Sequence, residues 1–180
     1  NITDRFMPEK ISAGFIITAL LLLAIIIFGL YATYNFIFSE TTIDPTPSSS
    51  NKETILSNLE DNTLVNLTCR GKSIEAKAAV SRSMKQQGYM FREVPLDSNE
   101  GMLFAYKEPQ ILTFWMKNTY VTLDILFLDS DLRAVSTHDD MVPNQTEKTY
   151  SSGAEALYAL EVSEDFLEAT GFEVGDTCQL

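Results

Sequence analysis

The sequence predicts an α+β fold that is mainly antiparallel β: a partly closed, barrel-like domain with two short helices, preceded by one N-terminal transmembrane helix. Three observations lead there. Residues 11–38 are apolar and carry no charge. A stretch rich in Pro and Ser follows. Beyond residue 62 come about seven short β-type runs, the first two alternating apolar and polar, separated by turn residues and accompanied by two helical signals.

The apolar run comes first in the chain. Between Ile11 and Ser39 there is no Asp, Glu, Lys, Arg or Pro. As a helix it reaches roughly 43 Å, against a hydrocarbon core of about 30 Å. Lipid offers the backbone no partners, which forces such a stretch to be helical. A domain of this size has no room to surround it as a core helix. A cleaved signal peptide has a shorter apolar region and a small-residue cleavage site, so an uncleaved anchor fits better. Arg5 and Lys10 precede the run, and the next cation is Lys52, whereas Glu40 and Asp44 follow it. Basic flanks stay inside, so residues 1–10 are expected in the cytoplasm, stroma or matrix and the C-terminal domain outside. Gly14 with Thr18, and Gly29 with Thr33, are small pairs four apart that let helices pack closely. A pilin-like filament subunit fits less well, because Pro8, Glu9 and Lys10 stand before the apolar run.

Residues 39–62 read as an extended linker, with ETILSNLE at 53–60 able to add a helical turn. The outer domain, 63–180, then opens with a hairpin: LVNLTC (64–69) and SIEAKAAV (73–80) alternate on either side of Arg70-Gly71. Ser81 or Ser83 caps a short helix that ends at Gly88. GMLFAYK (101–107), ILTFWMK (111–117), TLDILFLD (122–129) and LRAVST (132–137) predict strands, with turns at Glu108-Pro109 and Asp129-Ser130-Asp131. EALYALEV (155–162) is another. Ser163 is expected to cap a helix over 163–170 that stops at Gly171, and a final strand follows.

Charge narrows the function. The net charge of -12 leaves nothing to neutralise phosphates, which excludes nucleic acid as a partner, and no polybasic patch addresses anionic lipid. One histidine, His138, stands beside Asp139 and Asp140, but no HxH, HExxH or CxxC accompanies it, so a polar turn is expected and neither metal nor cofactor.

Five blocks fall in a familiar order: GYMFR at 88–92, GMLF at 101–104, FWMKNT at 114–119, LDILF at 123–127 and YALE at 158–161. Over roughly Val65 to Leu180 the chain resembles the family called domain of unknown function 192, whose members are small and often exported or membrane-anchored. That family usually has Leu where Tyr89 stands and Pro where Thr122 stands, and many members carry cysteines near 143–150, where this chain has none. The resemblance implies a compact, mostly β domain and brings no established activity.

The candidate site is the FWMKNT block. If it is a strand, Phe114 and Met116 share one face and Trp115 and Lys117 the other. One expectation is structural: Lys117 pairs with Asp124 on the next strand and Asn118 holds the turn between them. The other is a binding surface of Trp115, Lys117, Asn118, Tyr120 and Asp124, with rings suited to protein interfaces and sugar faces. Asp124, Glu93, Glu100 and Glu161 are also weighed as a glycosidase pair. Cys69 and Cys178, in the first and last strands, are a candidate disulfide outside the cytoplasm. Asn66 and Asn144 lie in glycosylation sequons. The expected function is therefore non-enzymatic: a single-span accessory subunit whose partners are membrane lipid and other membrane protein subunits. An anchored binder or hydrolase of envelope polysaccharide, with a carbohydrate ligand, is the alternative.

Overall fold

A computed structural model describes residues 20–31 and 49–180. The chain divides into two units, residues 1–46 and 47–180. Within the first, residues 20–31 are helical, and their apolar side chains are all exposed. Among the described residues no helix is long and apolar enough to cross a membrane. The ends of the expected span, with Gly14, Thr18 and Thr33, lie outside the described residues. Gly29 lies within them and has open space where a Cβ would stand.

In the second unit, helix α1 (Ser49–Ser57) falls inside the stretch expected to be extended linker, and it is followed by seven strands. β1 (Leu64–Cys69) and β2 (Lys72–Ala79) form an antiparallel hairpin. Its two turn residues both take positive φ, Arg70 at 51° and Gly71 at 78°, as a two-residue hairpin of this twist requires. Helix α2 (Arg82–Gln87) crosses over to β3 (Glu100–Phe114), which pairs parallel with β2. The Ser81 side chain caps α2 by accepting from Met84 N. β4 (Leu123–Leu128), β5 (Ala134–Met141), β6 (Tyr150–Ser163), helix α3 (Phe166–Thr170) and β7 (Cys178–Gln179) complete the domain.

The sheet order is β5-β4-β6-β3-β2-β1-β7, with every pairing antiparallel except β2–β3. The sheet curls into a half-barrel. At one end its two edges meet, where Ala134 N donates to Asp176 O at 2.8 Å and Cys178 N to Leu132 O at 3.0 Å. A Cys69–Cys178 disulfide ties β1 to β7.

Alternation along the strands feeds two cores. The inner core takes Leu67, Ile74, Leu103, Leu126 and Leu160 from the sheet and Phe166 from α3, with Leu56 and Leu59 packed in from α1 and the turn after it. The outer core, with Phe104, Phe114, Ile125, Phe127 and Met141, is covered by the β2–β3 crossover and by loops.

Three expectations about elements are corrected. Glu108-Pro109 is not a turn: β3 runs through it, and a register shift against β6 between Ala105 and Gln110 accommodates the proline, which has no N–H for the ladder. FWMKNT leaves the sheet after Phe114 instead of continuing as a strand. The helix expected from Ser163 begins at Phe166, and Ser163 belongs to β6.

Candidate functional site

β3 has alternate side chains on opposite faces of the sheet. Tyr106 and Phe114 accompany the outer core, and past Phe114 the chain turns out and leaves Trp115 48% exposed. Helix α2 lies across the same face, with Met84 packed on the outer core and Arg82, Lys85 and Gln86 around it. A groove of about 590 Å³ opens between α2 and the far half of β3. Its aromatic lining is Tyr106, Phe114 and Trp115. Its polar lining is Arg82, Lys85, Gln86, Gln110, Thr113 and Thr149, with no carboxylate among the described lining residues.

The groove is braced from beneath. Phe114 meets Phe104 edge-on at 4.9 Å between centroids, and Phe127 at 5.6 Å. Phe127 continues to His138 at 5.9 Å, and His138 to Tyr150 at 5.6 Å. His138 is thus a packing residue, and its Nε2 is 2.8 Å from the Ser151 carbonyl. Lys85 donates to Ala105 O at 2.7 Å and holds its ammonium 4.1 Å from the Tyr106 centroid. Burial, aided by Lys107 and opposed by Asp61, lowers its pKa. Arg82 is exposed and has no ion pair among the described residues. Lys117 brings its ammonium within 5.4 Å of the Trp115 centroid.

Trp115 and Lys117 are therefore brought together, but the other expected site residues lie elsewhere. Asn118, at φ 56°, and Tyr120 belong to a loop stitched to its neighbours: Phe91 N donates to Asn118 O, Tyr120 N to Arg92 O, and Asn144 N to Thr119 O. Tyr120 is 45% exposed there, in a loop bonded to that of the exposed Phe91. Of the sequon residues, Asn66 is exposed on β1, and Asn144 is exposed with its side chain accepting from Asn118 N.

Asp124 is corrected outright. It is fully buried and does not pair with Lys117. Its two oxygens accept from Asp140 N at 3.0 Å and Leu167 N at 2.8 Å. It thereby caps α3 from a distant strand, a role expected of Ser163. Burial raises its pKa to about 6 against those two hydrogen bonds, which lower it.

Asp124 and Glu161 do not form a glycosidase pair. Asp124 stands opposite Val162, whose side chain is in the inner core, while Glu161 stands opposite Ile125 of the outer core. Neighbours along a strand point to opposite faces, so the two carboxylates are separated by the sheet and flank no common bond. Glu100 is held by Arg92 in a fork of 2.6 and 2.7 Å, and that arginine also donates to Val94 O and Pro95 O to shape the loop. Glu161 is 5% exposed and its Oε2 has no partner among the described residues; burial raises its pKa to about 8. The neighbouring Tyr89 hydroxyl is buried and unpartnered as well, and burial raises its pKa.

Sequence reasoning missed Arg82, Lys85, Tyr106 and Gln110. The spacing of Arg82, Lys85 and Gln86 on a helix was a usable signal, since residues three and four apart share a face.

The family model for DUF192, described as an uncharacterized ACR, matches residues 65–180. Two solved structures are similar. One, from Sinorhizobium meliloti 1021, carries the provisional description of a transcription regulator; it is 29% identical, with a TM-score of 0.61 over 68% of this chain and 97% of that one. The other is a protein of unknown function from Novosphingobium aromaticivorans DSM 12444, also 29% identical with a TM-score of 0.61, over 65% of this chain and 85% of that one. None of the curated proteins matches.

Proposed function

Because the chain belongs to the DUF192 family, whose model matches residues 65–180, we propose a function for a domain that family membership leaves without an activity: a membrane-anchored, non-enzymatic binding module that takes a saccharide of the cell envelope in the Trp115 groove. The observation that carries this is the half-exposed Trp115, set beside Tyr106 in a groove that also offers amides and hydroxyls. Sugar rings present an apolar face to an indole and hydroxyls to Gln and Thr, and both kinds of contact are available here. The anchor is the uncharged run at 11–38, with the N-terminus inside; the exposed apolar side chains along 20–31 suit lipid. A nucleic-acid role like the description attached to the Sinorhizobium protein is not adopted, given the net charge of -12.

The test uses the full chain in mild detergent against an array of envelope saccharides. Wild type is expected to bind, and Trp115→Ala to lose binding at an unchanged melting temperature. Absence of binding by wild type refutes the proposal.

A second reading, an accessory subunit docked to another membrane protein, is favoured by a separate observation. Phe91 (66% exposed) and Tyr120 (45%) lie in loops joined by backbone bonds, and Val94 (70%) follows on the first of them. Purification as a strict monomer with no companion subunit counts against it.

A further inference from the structure

We infer that the Trp115 groove is built for an anionic saccharide, one bearing carboxylates or phosphates, rather than a neutral one. The inference rests on the binding function proposed above and narrows its ligand. The chain as a whole carries 25 acidic against 13 basic side chains. The groove reverses that balance. Arg82 and Lys85 line it and no carboxylate among the described residues does, and Lys117 stands 5.4 Å from the indole that forms one wall. The net acidity of the chain disfavours an anion on the whole, and the cations at this groove offset that repulsion locally.

The cations also differ in what remains to them. Lys85 spends one donor on Ala105 O and lies over Tyr106, so it positions the ring and supplies a fixed positive field. Arg82 is exposed and has no ion pair among the described residues, so its whole donor fork is available. A planar guanidinium matches a carboxylate or phosphate with two parallel hydrogen bonds. Gln86 and Gln110 add amides along the same groove, able to meet ring hydroxyls while the indole covers an apolar sugar face. The geometry therefore separates two tasks: Trp115 and Tyr106 hold the ring, and Arg82 selects its charge.

Calorimetry on the full chain in mild detergent compares an oligogalacturonate with its carboxyl-reduced, neutral counterpart of equal length. The expected result is preference for the charged oligomer. Arg82→Gln is expected to weaken that oligomer about tenfold and leave the neutral one unchanged, Arg82→Lys to recover part of the loss, and added salt to erase the difference. Arg82 is exposed and holds no part of the core, so these variants are expected to fold. Equal affinity for both oligomers in wild type overturns the anionic preference while the groove remains a saccharide site, and no effect of Arg82→Gln overturns Arg82 as the group that selects the charge. If neither oligomer nor any other saccharide binds, the proposed function itself falls.

Discussion

Replacing Glu161 with Gln probes the outer core through its pH dependence. Glu161 lies on β6 beneath the crossover, and the position of a Cβ on Gly88 is 3.9 Å from its Oε2. Among the described residues no partner reaches that oxygen, and burial alone lifts the pKa from 4.5 to about 8. The folded chain therefore binds a proton that the unfolded chain releases between those values. Stability is full below pH 4.5, falls as pH rises, and levels off above about 8. At 1.36 kcal/mol per pKa unit the total is roughly 5 kcal/mol, of which roughly 3 kcal/mol is already lost at pH 7. Gln has the same shape and no titration. Urea unfolding of both proteins at pH 4.5, 7 and 9 isolates this residue, because Asp124 and the other groups are common to both. The stability of Glu161→Gln relative to wild type should climb by roughly 1.4 kcal/mol per pH unit between the two pKa values and stay level above about 8. An absolute offset at pH 4.5 reports how the amide packs and decides nothing. Parallel pH curves would refute the assignment of a neutral, buried carboxyl.

The disulfide closes a loop with a sequence separation of 109, so Cys69→Ser with Cys178→Ser should destabilise the fold by about 4–5 kcal/mol in the chain-entropy view, read as a lower urea midpoint. Gly101→Ala places a Cβ 2.9 Å from Ile74 Cγ2 and 3.0 Å from the Glu161 carbonyl, and should cost about 1–3 kcal/mol in thermal unfolding. Asp124→Ala strands the amides of Leu167 and Asp140; hydrogen exchange should show α3 opening, with a loss of about 1–3 kcal/mol for each amide left buried and unpartnered.

Period-two alternation made β1 and β2 legible, because one face of each is committed to a core, whereas β4 showed as a short apolar run because both its faces are buried. The long β3 was not, since Glu-Pro reads locally as a turn and only the β6 partner, absent from any local window, can carry the strand across it. The first residues of β6 escaped for a similar reason: Ser151, Ser152 and Gly153 have weak β propensity, and Ser152 is held by accepting from Leu112 N. Trp115 and Lys117 were visible as chemistry-bearing types. Arg82 and Tyr106 were not visible as their companions, because crossover helix and sheet meet only through tertiary packing. Asp124 looked functional for its type and position, yet it serves the backbone of a helix more than 40 residues away.

The clasp between the first and last strands also sets an order of events in the making of the protein. Polypeptides grow at about 5–20 residues per second, so Cys69 exists for roughly 5–20 s before Cys178 is synthesised. During that interval the β1–β2 hairpin can already be formed, with one thiol waiting. Any oxidising enzyme that meets the growing chain in this window has no correct pairing to make. Covalent closure therefore waits for the last strand of the half-barrel to be made, and until then the thiol is open to foreign disulfides.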